Sequence, residues 1–175
     1  MKKIIFAVGF LFVSFCLTGQ DTERNVTYTA SFGTGIAMNE PSYTPLIFHV
    51  LAHYRVGNRF SAGIGTGLSL YEATLIPLFA NAKLAVTQPR KFTPFVECGS
   101  GYAFAANTNA NGGFHLNSSL GVQYALSEKM KLQLSAGYEL QKLERLKNSE
   151  NDYFTSFFAE KLSHHLVSIK VGIVF

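Results

Sequence analysis

The sequence predicts an all-β chain: an eight-stranded antiparallel up-and-down transmembrane β-barrel with an apolar exterior and a polar, side-chain-filled lumen. Three observations predict it. Segments of roughly 9–11 residues, the length a tilted membrane strand needs, alternate apolar with small or polar side chains. The last of them sets Ile169, Val171, Ile173 and Phe175 against Ser168, Lys170, Gly172 and Val174, and its final ring suits a lipid–water interface. Charged residues make up only 15% of the chain, where soluble domains carry roughly a quarter. Beyond the N-terminal segment no apolar run is long enough for a helical span, so strands must do the crossing.

That N-terminal segment reads as an export signal. Lys2 and Lys3 precede an apolar run, 4–17, which is shorter than the roughly 20 residues a spanning helix takes. Gly19 supplies a small residue for cleavage near Gly19 or Gln20, so 1–19 is the expected signal peptide and 20–175 the barrel domain. Phe15 is too bulky before Cys16 for a lipoprotein signal. With Cys16 removed, Cys98 has no partner for an internal disulfide. The formal charge of +4 includes Lys2 and Lys3, and what remains is too weak and scattered for nucleic acid.

The first strand, 26–36, sets Val26, Tyr28, Ala30, Phe32 and Ile36 against Thr27, Thr29, Ser31, Gly33 and Gly35. The second, 46–56, opposes Leu46, Phe48, Val50, Ala52 and Tyr54 to His49, His53 and Arg55. A tight turn at Gly57, Asn58 and Arg59 leads to the third, 60–70, whose inner face is mostly Ser and Gly. The fourth, 75–86, carries Asn81 and Lys83 on its polar face, and the fifth, 92–104, carries Glu97, Gly99 and Gly101. Composition marks 107–113 as a loop. The sixth, 114–126, alternates Phe114, Leu116, Leu120, Val122 and Tyr124 with His115, Asn117, Gly121 and Gln123. Ser127, Glu128 and Lys129 turn the chain into the seventh, 130–141, and a polar stretch, 142–163, precedes the eighth, 166–175. Short turns then share one end with the termini, and longer loops share the other.

Which face points inward separates a soluble ligand-binding barrel from a membrane barrel. The polar face carries His49, His53, Arg55, Lys83, Glu97, Glu139 and Lys170, too many ionisable groups to be the outside of a lipid-embedded wall. The apolar face carries aromatics toward the strand ends, Tyr28, Tyr54, Phe60, Tyr124 and Phe175 at one end and Phe104, Phe114 and Tyr138 at the other. Two such belts match two membrane interfaces. Pairing Val56 with Phe60 sets His53 against Gly63 and His49 against Gly67; pairing Ile36 with Leu46 sets His49 against Gly33. Pairing Val86 with Phe92 sets Phe79 against Gly99 and Asn81 against Glu97, leaving Lys83 diagonal to Glu97. Large inward groups meeting glycines is what a narrow lumen requires. Pro77 and Pro94 donate nothing to a ladder and are expected near strand ends, where a frayed pair costs less.

Eight strands leave room inside for side chains and little else, so His49, His53, Arg55, Asn81, Lys83, Glu97, His115, Asn117, Glu139 and Lys170 are expected to form a hydrogen-bonded lumen network. His49 and His53 lie roughly 13 Å apart along a strand and do not share a metal; His164 and His165 point to opposite faces. Glycines 63, 65 and 67 keep a strand period with no helix behind them, which excludes a phosphate-cradling loop. No catalytic residue, metal or cofactor is assigned. The polar stretch contains Tyr153, Phe154, Phe157 and Phe158, a candidate interaction loop that extends a hairpin above the membrane, touches lipid or binds a partner, the first being preferred.

On the signal, the alternating segments, the aromatic belts, Phe175, and stretches such as Ile76-Pro77-Leu78-Phe79-Ala80-Asn81 and Gly99-Ser100-Gly101-Tyr102, the chain resembles the small outer-membrane β-barrels of Gram-negative bacteria, similar to the OmpX type and the OmpA N-terminal domain. The resemblance implies an outer-membrane location, contact with membrane lipid and lipopolysaccharide, and insertion by the barrel-assembly machinery. It leaves three functional classes: a non-enzymatic envelope or surface-interaction barrel, the preferred one; an accessory subunit of a secretion or assembly machine; and a lipid A-modifying enzyme. For the last, the deacylase pattern His-x-Ser reads His-x-Asn at His115 and Asn117, and Glu139 lies diagonal to His115 without an accompanying nucleophile.

Overall fold

The computed structural model describes residues 25–39, 42–71, 73–106, 110–151 and 154–175, with backbone alone for 145–151 and 154–160. The expected signal peptide and Tyr153 lie outside these residues. Eight strands form the barrel: β1 (Val26–Ala37), β2 (Leu46–Arg55), β3 (Phe60–Leu70), β4 (Thr74–Ala85), β5 (Phe92–Ala105), β6 (Gly113–Ala125), β7 (Lys131–Asn151) and β8 (Phe154–Val174). Each pairs antiparallel with its sequence neighbours, and β8 closes on β1 from Thr29↔Val174 to Ala37↔Leu166. Closure satisfies every strand edge, the only way for extended backbone to sit in lipid.

The walls follow the alternation. Phe32, Ile64, Leu120, Leu134 and Ile169 face outward and are more than half exposed, whereas Thr29, Ser31, His49, Asn81, Glu97 and Ser135 face inward and are buried. Tyr28 stacks on Phe175 and Phe92 packs at a tilt against Tyr124 at the end holding the termini, while Tyr102 meets Phe104 toward the far end. The lumen is less polar than the sequence predicts. Ile47, Leu51, Phe79 and Phe95 point inward, and Tyr71, Leu75, Ala103, Leu143, Leu162 and Leu166 form an apolar cluster at the far end. There apolar packing excludes water.

The β2–β3 register is the expected one, with His53↔Gly63 and His49↔Gly67. Two others differ by two residues. On β1, Thr34 rather than Ile36 pairs with Leu46, so Ser31 rather than Gly33 faces His49. Thr34 Oγ1 donates to the Pro45 carbonyl at 2.9 Å and ends that ladder, while residues 35–37 continue along β8. On β4, Lys83 pairs directly with Glu97, Asn81 with Gly99 and Phe79 with Gly101. Thr93 Oγ1 bonds both the N–H and the carbonyl of Arg90, each at 3.0 Å, and this compact turn holds 92–93 out of the β4 ladder.

Pro77 frays its pair as expected: the β3–β4 ladder runs to Thr66↔Leu78 and resumes at Ser69↔Leu75. Pro94 lies just past the last β4–β5 pair, Ala85↔Phe95. The stretch 142–163 extends the hairpin, as the preferred reading has it, but as continuous strand, so the seventh and eighth strands run well beyond their expected bounds of 130–141 and 166–175. β7 and β8 are each 21 residues long and stay paired from Lys131↔Val174 to Asn151↔Phe154. The strand Ala110–Asn111 from the expected loop 107–113 rests on β7 at Arg145 and Glu144.

The inward glycines leave no room for a side chain. A Cβ on Gly67 would overlap the Phe48 carbonyl and lie 2.7 Å from the His49 ring; on Gly65 it would lie 2.6 Å from the Phe79 ring. Gly57, in the first tight turn, has open space around it. Gly67→Val is therefore expected to abolish the folded, heat-modifiable form on gel electrophoresis, and Gly57→Ala to leave it intact.

Candidate functional site

The inward residues assemble into two polar tiers beneath the apolar cluster. In the tier nearer that cluster, β2, β6, β7 and β8 bring His49, His115, Glu139 and Lys170 together. The Lys170 ammonium lies 3.2 Å from Glu139 Oε2, with both side chains almost wholly enclosed. His115 bonds through Nδ1 to Gln141 Oε1 at 3.0 Å and through Nε2 to Asn117 Nδ2 at 3.2 Å. Nδ1 donates and Nε2 accepts, because an amide oxygen only accepts and an amide nitrogen only donates. Phe79 packs 5.2 Å from both the His49 and the His115 rings.

The second tier lies toward the termini. His53 Nε2 meets Asn81 Oδ1 at 2.8 Å. Lys83 donates to Gln133 Oε1 at 2.5 Å, stands 4.0 Å from Glu97 Oε2 and sits 4.1 Å over the Phe95 ring. Ser119 donates to Glu97 Oε1 at 2.9 Å, and Gln123 Nε2 to Gln133 Oε1 at 3.1 Å. Each tier thus holds an acid–base pair, and in the tier toward the termini Gln133 and Ser119 add neutral hydrogen bonds to it, the arrangement that makes a buried charge tolerable.

Of the residues expected in the network, His49, His53, Asn81, Lys83, Glu97, His115, Asn117, Glu139 and Lys170 are buried here. Arg55 stands apart, exposed at the mouth. Gln133, Gln141 and Ser119 escape the sequence reading; their strand parity marks them as inward, but their partners lie on other strands. His164 and His165 do face opposite ways: His164 packs 5.1 Å from Tyr71 inside, and His165 Nδ1 meets Tyr138 Oη at 2.5 Å.

Two chemical readings can be set against this geometry. The donor atoms of His49, His115 and Glu139 lie within 4.8 Å of one another, across the barrel rather than along one strand. Two imidazoles and a carboxylate suit a transition metal, but Lys170 already supplies the cation beside Glu139, and both His115 nitrogens are engaged. A hydrolytic reading needs a nucleophile on His115. Ser119 is bonded to Glu97 instead, and Ser118 points to the outer wall.

A closed eight-stranded barrel with an apolar wall, aromatic belts and a side-chain-filled interior is a small transmembrane β-barrel. The solved structures similar to it are of that kind. OprG, an outer membrane protein from Pseudomonas aeruginosa, matches with a TM-score of 0.63 at 10% identity, covering 87% of this chain and 96% of that one. Neisserial surface protein A matches at 0.59 and 13%, covering 88% and 98%. The outer membrane enzyme PagL matches at 0.54 and 12%, covering 82% and 97%. No family model and no curated protein matches the chain. Identities this low carry the fold alone.

The Lys170–Glu139 pair offers a direct test of the lumen. Lys170→Met strands a wholly buried carboxylate and is expected to cost about 3–5 kcal/mol in urea unfolding from lipid vesicles. Adding Glu139→Gln to Lys170→Met removes the stranded charge and is expected to recover most of that loss.

Proposed function

We propose that the protein is a non-enzymatic outer-membrane barrel that holds a projecting hairpin at the cell surface, where the hairpin engages a partner. The observation that carries this is the length of β7 and β8. Their 21 residues each compare with 10–14 in the other barrel strands. A tilted membrane strand needs roughly 9–11 residues, so about ten of each strand extend past the bilayer. β6 leaves β7 at Gln141 and β1 leaves β8 at Leu166; beyond Arg145 the two strands pair only with each other. Isolated two-stranded ribbons are marginal in water, and one this long gains by docking.

The orientation follows the short turns and termini, which we place in the periplasm, with the hairpin outside. Export through a signal cleaved near Gly19 or Gln20, insertion by the barrel-assembly machinery, and contact with lipid and lipopolysaccharide complete the reading. Phe154, Phe157 and Phe158 lie on the projecting part of β8 and are the proposed contact residues, with Tyr153 beside them in sequence.

Deleting 148–160 is expected to leave a heat-modifiable barrel in the outer-membrane fraction while abolishing partner capture by the tagged protein from gently solubilised membranes. A partner retained after the deletion moves the interaction to the barrel wall, the arrangement of an accessory subunit. The enzyme alternative is tested separately: lipid A from cells with and without the protein is expected to show the same profile by mass spectrometry. A difference abolished by His115→Ala in a folded barrel overturns the non-enzymatic reading.

A further inference from the structure

We propose that the mouth of the barrel at the end holding the termini is a binding site for phosphate-bearing anions. The mouth is a water-accessible cavity whose wall takes residues from all eight strands and the β2–β3 turn. Its charged lining is one-signed. Arg55, Arg59 and Lys131 stand around it and Lys83 lies at its floor, with no carboxylate among the lining residues. Lys83 alone of the four has an acidic neighbour, Glu97, in the tier beneath. Among the described residues, Arg55, Arg59 and Lys131 make no ion pair.

A second feature points the same way without depending on charge. Thr29 lines this cavity at 2% exposure, and its hydroxyl has no hydrogen-bond partner. A buried hydroxyl left unpaired is costly, and an acceptor entering the floor of the mouth would meet it once the side chains that now cover it shift.

Together these groups describe the ligand. Three cations around a concave opening with a low-dielectric wall focus a positive potential that draws anions in. Two guanidinium forks, an ammonium and a hydroxyl offer donors from several directions. That suits a tetrahedral phosphate better than a planar carboxylate with two oxygens. On the outer-membrane orientation proposed above the mouth opens to the periplasm. There phosphate is carried by phospholipid headgroups of the inner leaflet or by free phosphates. Both present the same chemistry, and the test separates them.

The full-length protein, refolded in maltoside micelles that carry no phosphate, is titrated with inorganic phosphate by calorimetry at low ionic strength. Saturable one-to-one binding that weakens as salt is raised is expected. The Arg55→Gln/Lys131→Gln double variant is expected to bind at least about tenfold more weakly. Thr29→Val is expected to weaken binding severalfold with its salt dependence retained, while Lys161→Gln on the projecting hairpin changes nothing. Short-chain phosphatidylglycerol that competes with phosphate identifies the headgroup as a source; failure to compete leaves the free anion. The proposal is overturned if phosphate does not saturate, if acetate binds as tightly, or if the double variant, shown folded by heat-modifiable migration, binds like the unmodified chain. Binding is read on purified protein, so its failure leaves the outer-membrane reading untouched, and cell fractionation tests that reading alone.

Discussion

The constraint on which this structure depends is volume inside an eight-stranded barrel. The interior is just wide enough for side chains, so each large inward group requires a small one beside it. His49 lies between Gly67 on β3 and Ser31 on β1, and Phe79 between Gly65 and Gly101. Gly121 leaves the space that the Phe95 ring fills. These pairings limit the register to those that set each ring against a small residue, because a one-residue slip would turn the rings out of the lumen. Closure, strand order and the positions of the charged tiers follow from the same choice.

Filling the lumen with ionisable groups brings a second constraint, since an unpaired charge there is several kcal/mol too costly. The barrel meets it by zones. Toward the far end the packing of Leu75, Leu143, Leu162 and Leu166 keeps water out. Below that cluster, Glu139 with Lys170 and Glu97 with Lys83 are matched across neighbouring strands, and an amide and a hydroxyl complete the second pair. At the open mouth, where water can screen them, Arg55, Arg59 and Lys131 make no ion pair among the described residues.

How much of this is legible in the sequence depends on which physical signal carries it. The inward and outward faces are legible throughout, because the side-chain period of a strand is two and lipid enforces the apolar face. That same period hides register. A slip of two residues leaves every face unchanged, which is why β1 against β2 and β4 against β5 are displaced by two while each residue keeps its side. The corrections come from Thr34 on Pro45 and Thr93 on Arg90, local bonds that no hydrophobic pattern reports. The projecting hairpin is legible only in part: its aromatics favour an extended hairpin, but beyond the bilayer neither face need be apolar, so the weakened alternation of β7 and β8 leaves the strand bounds unread. The approach of His49 on β2 to His115 on β6 and Glu139 on β7 spans the lumen between strands that are not adjacent. Strand order predicts neighbours along the wall and says little about which side chains meet across the axis.

This division of signals also bears on where function can reside. The interior is over-determined: its rings, glycines and ion pairs constrain one another, so a change at one position has to be answered at several. Such a core is poor material for new recognition. The hairpin beyond Arg145 has no such obligations, since it pairs only with itself. The mouth is likewise held by strands but open to water. A rigid wall presenting two loosely constrained ends is the arrangement in which binding can change while the fold does not. Among the described residues, the long hairpin at one end and the cations without ion pairs at the other are places where this chain has more structure or more charge than a stable barrel requires.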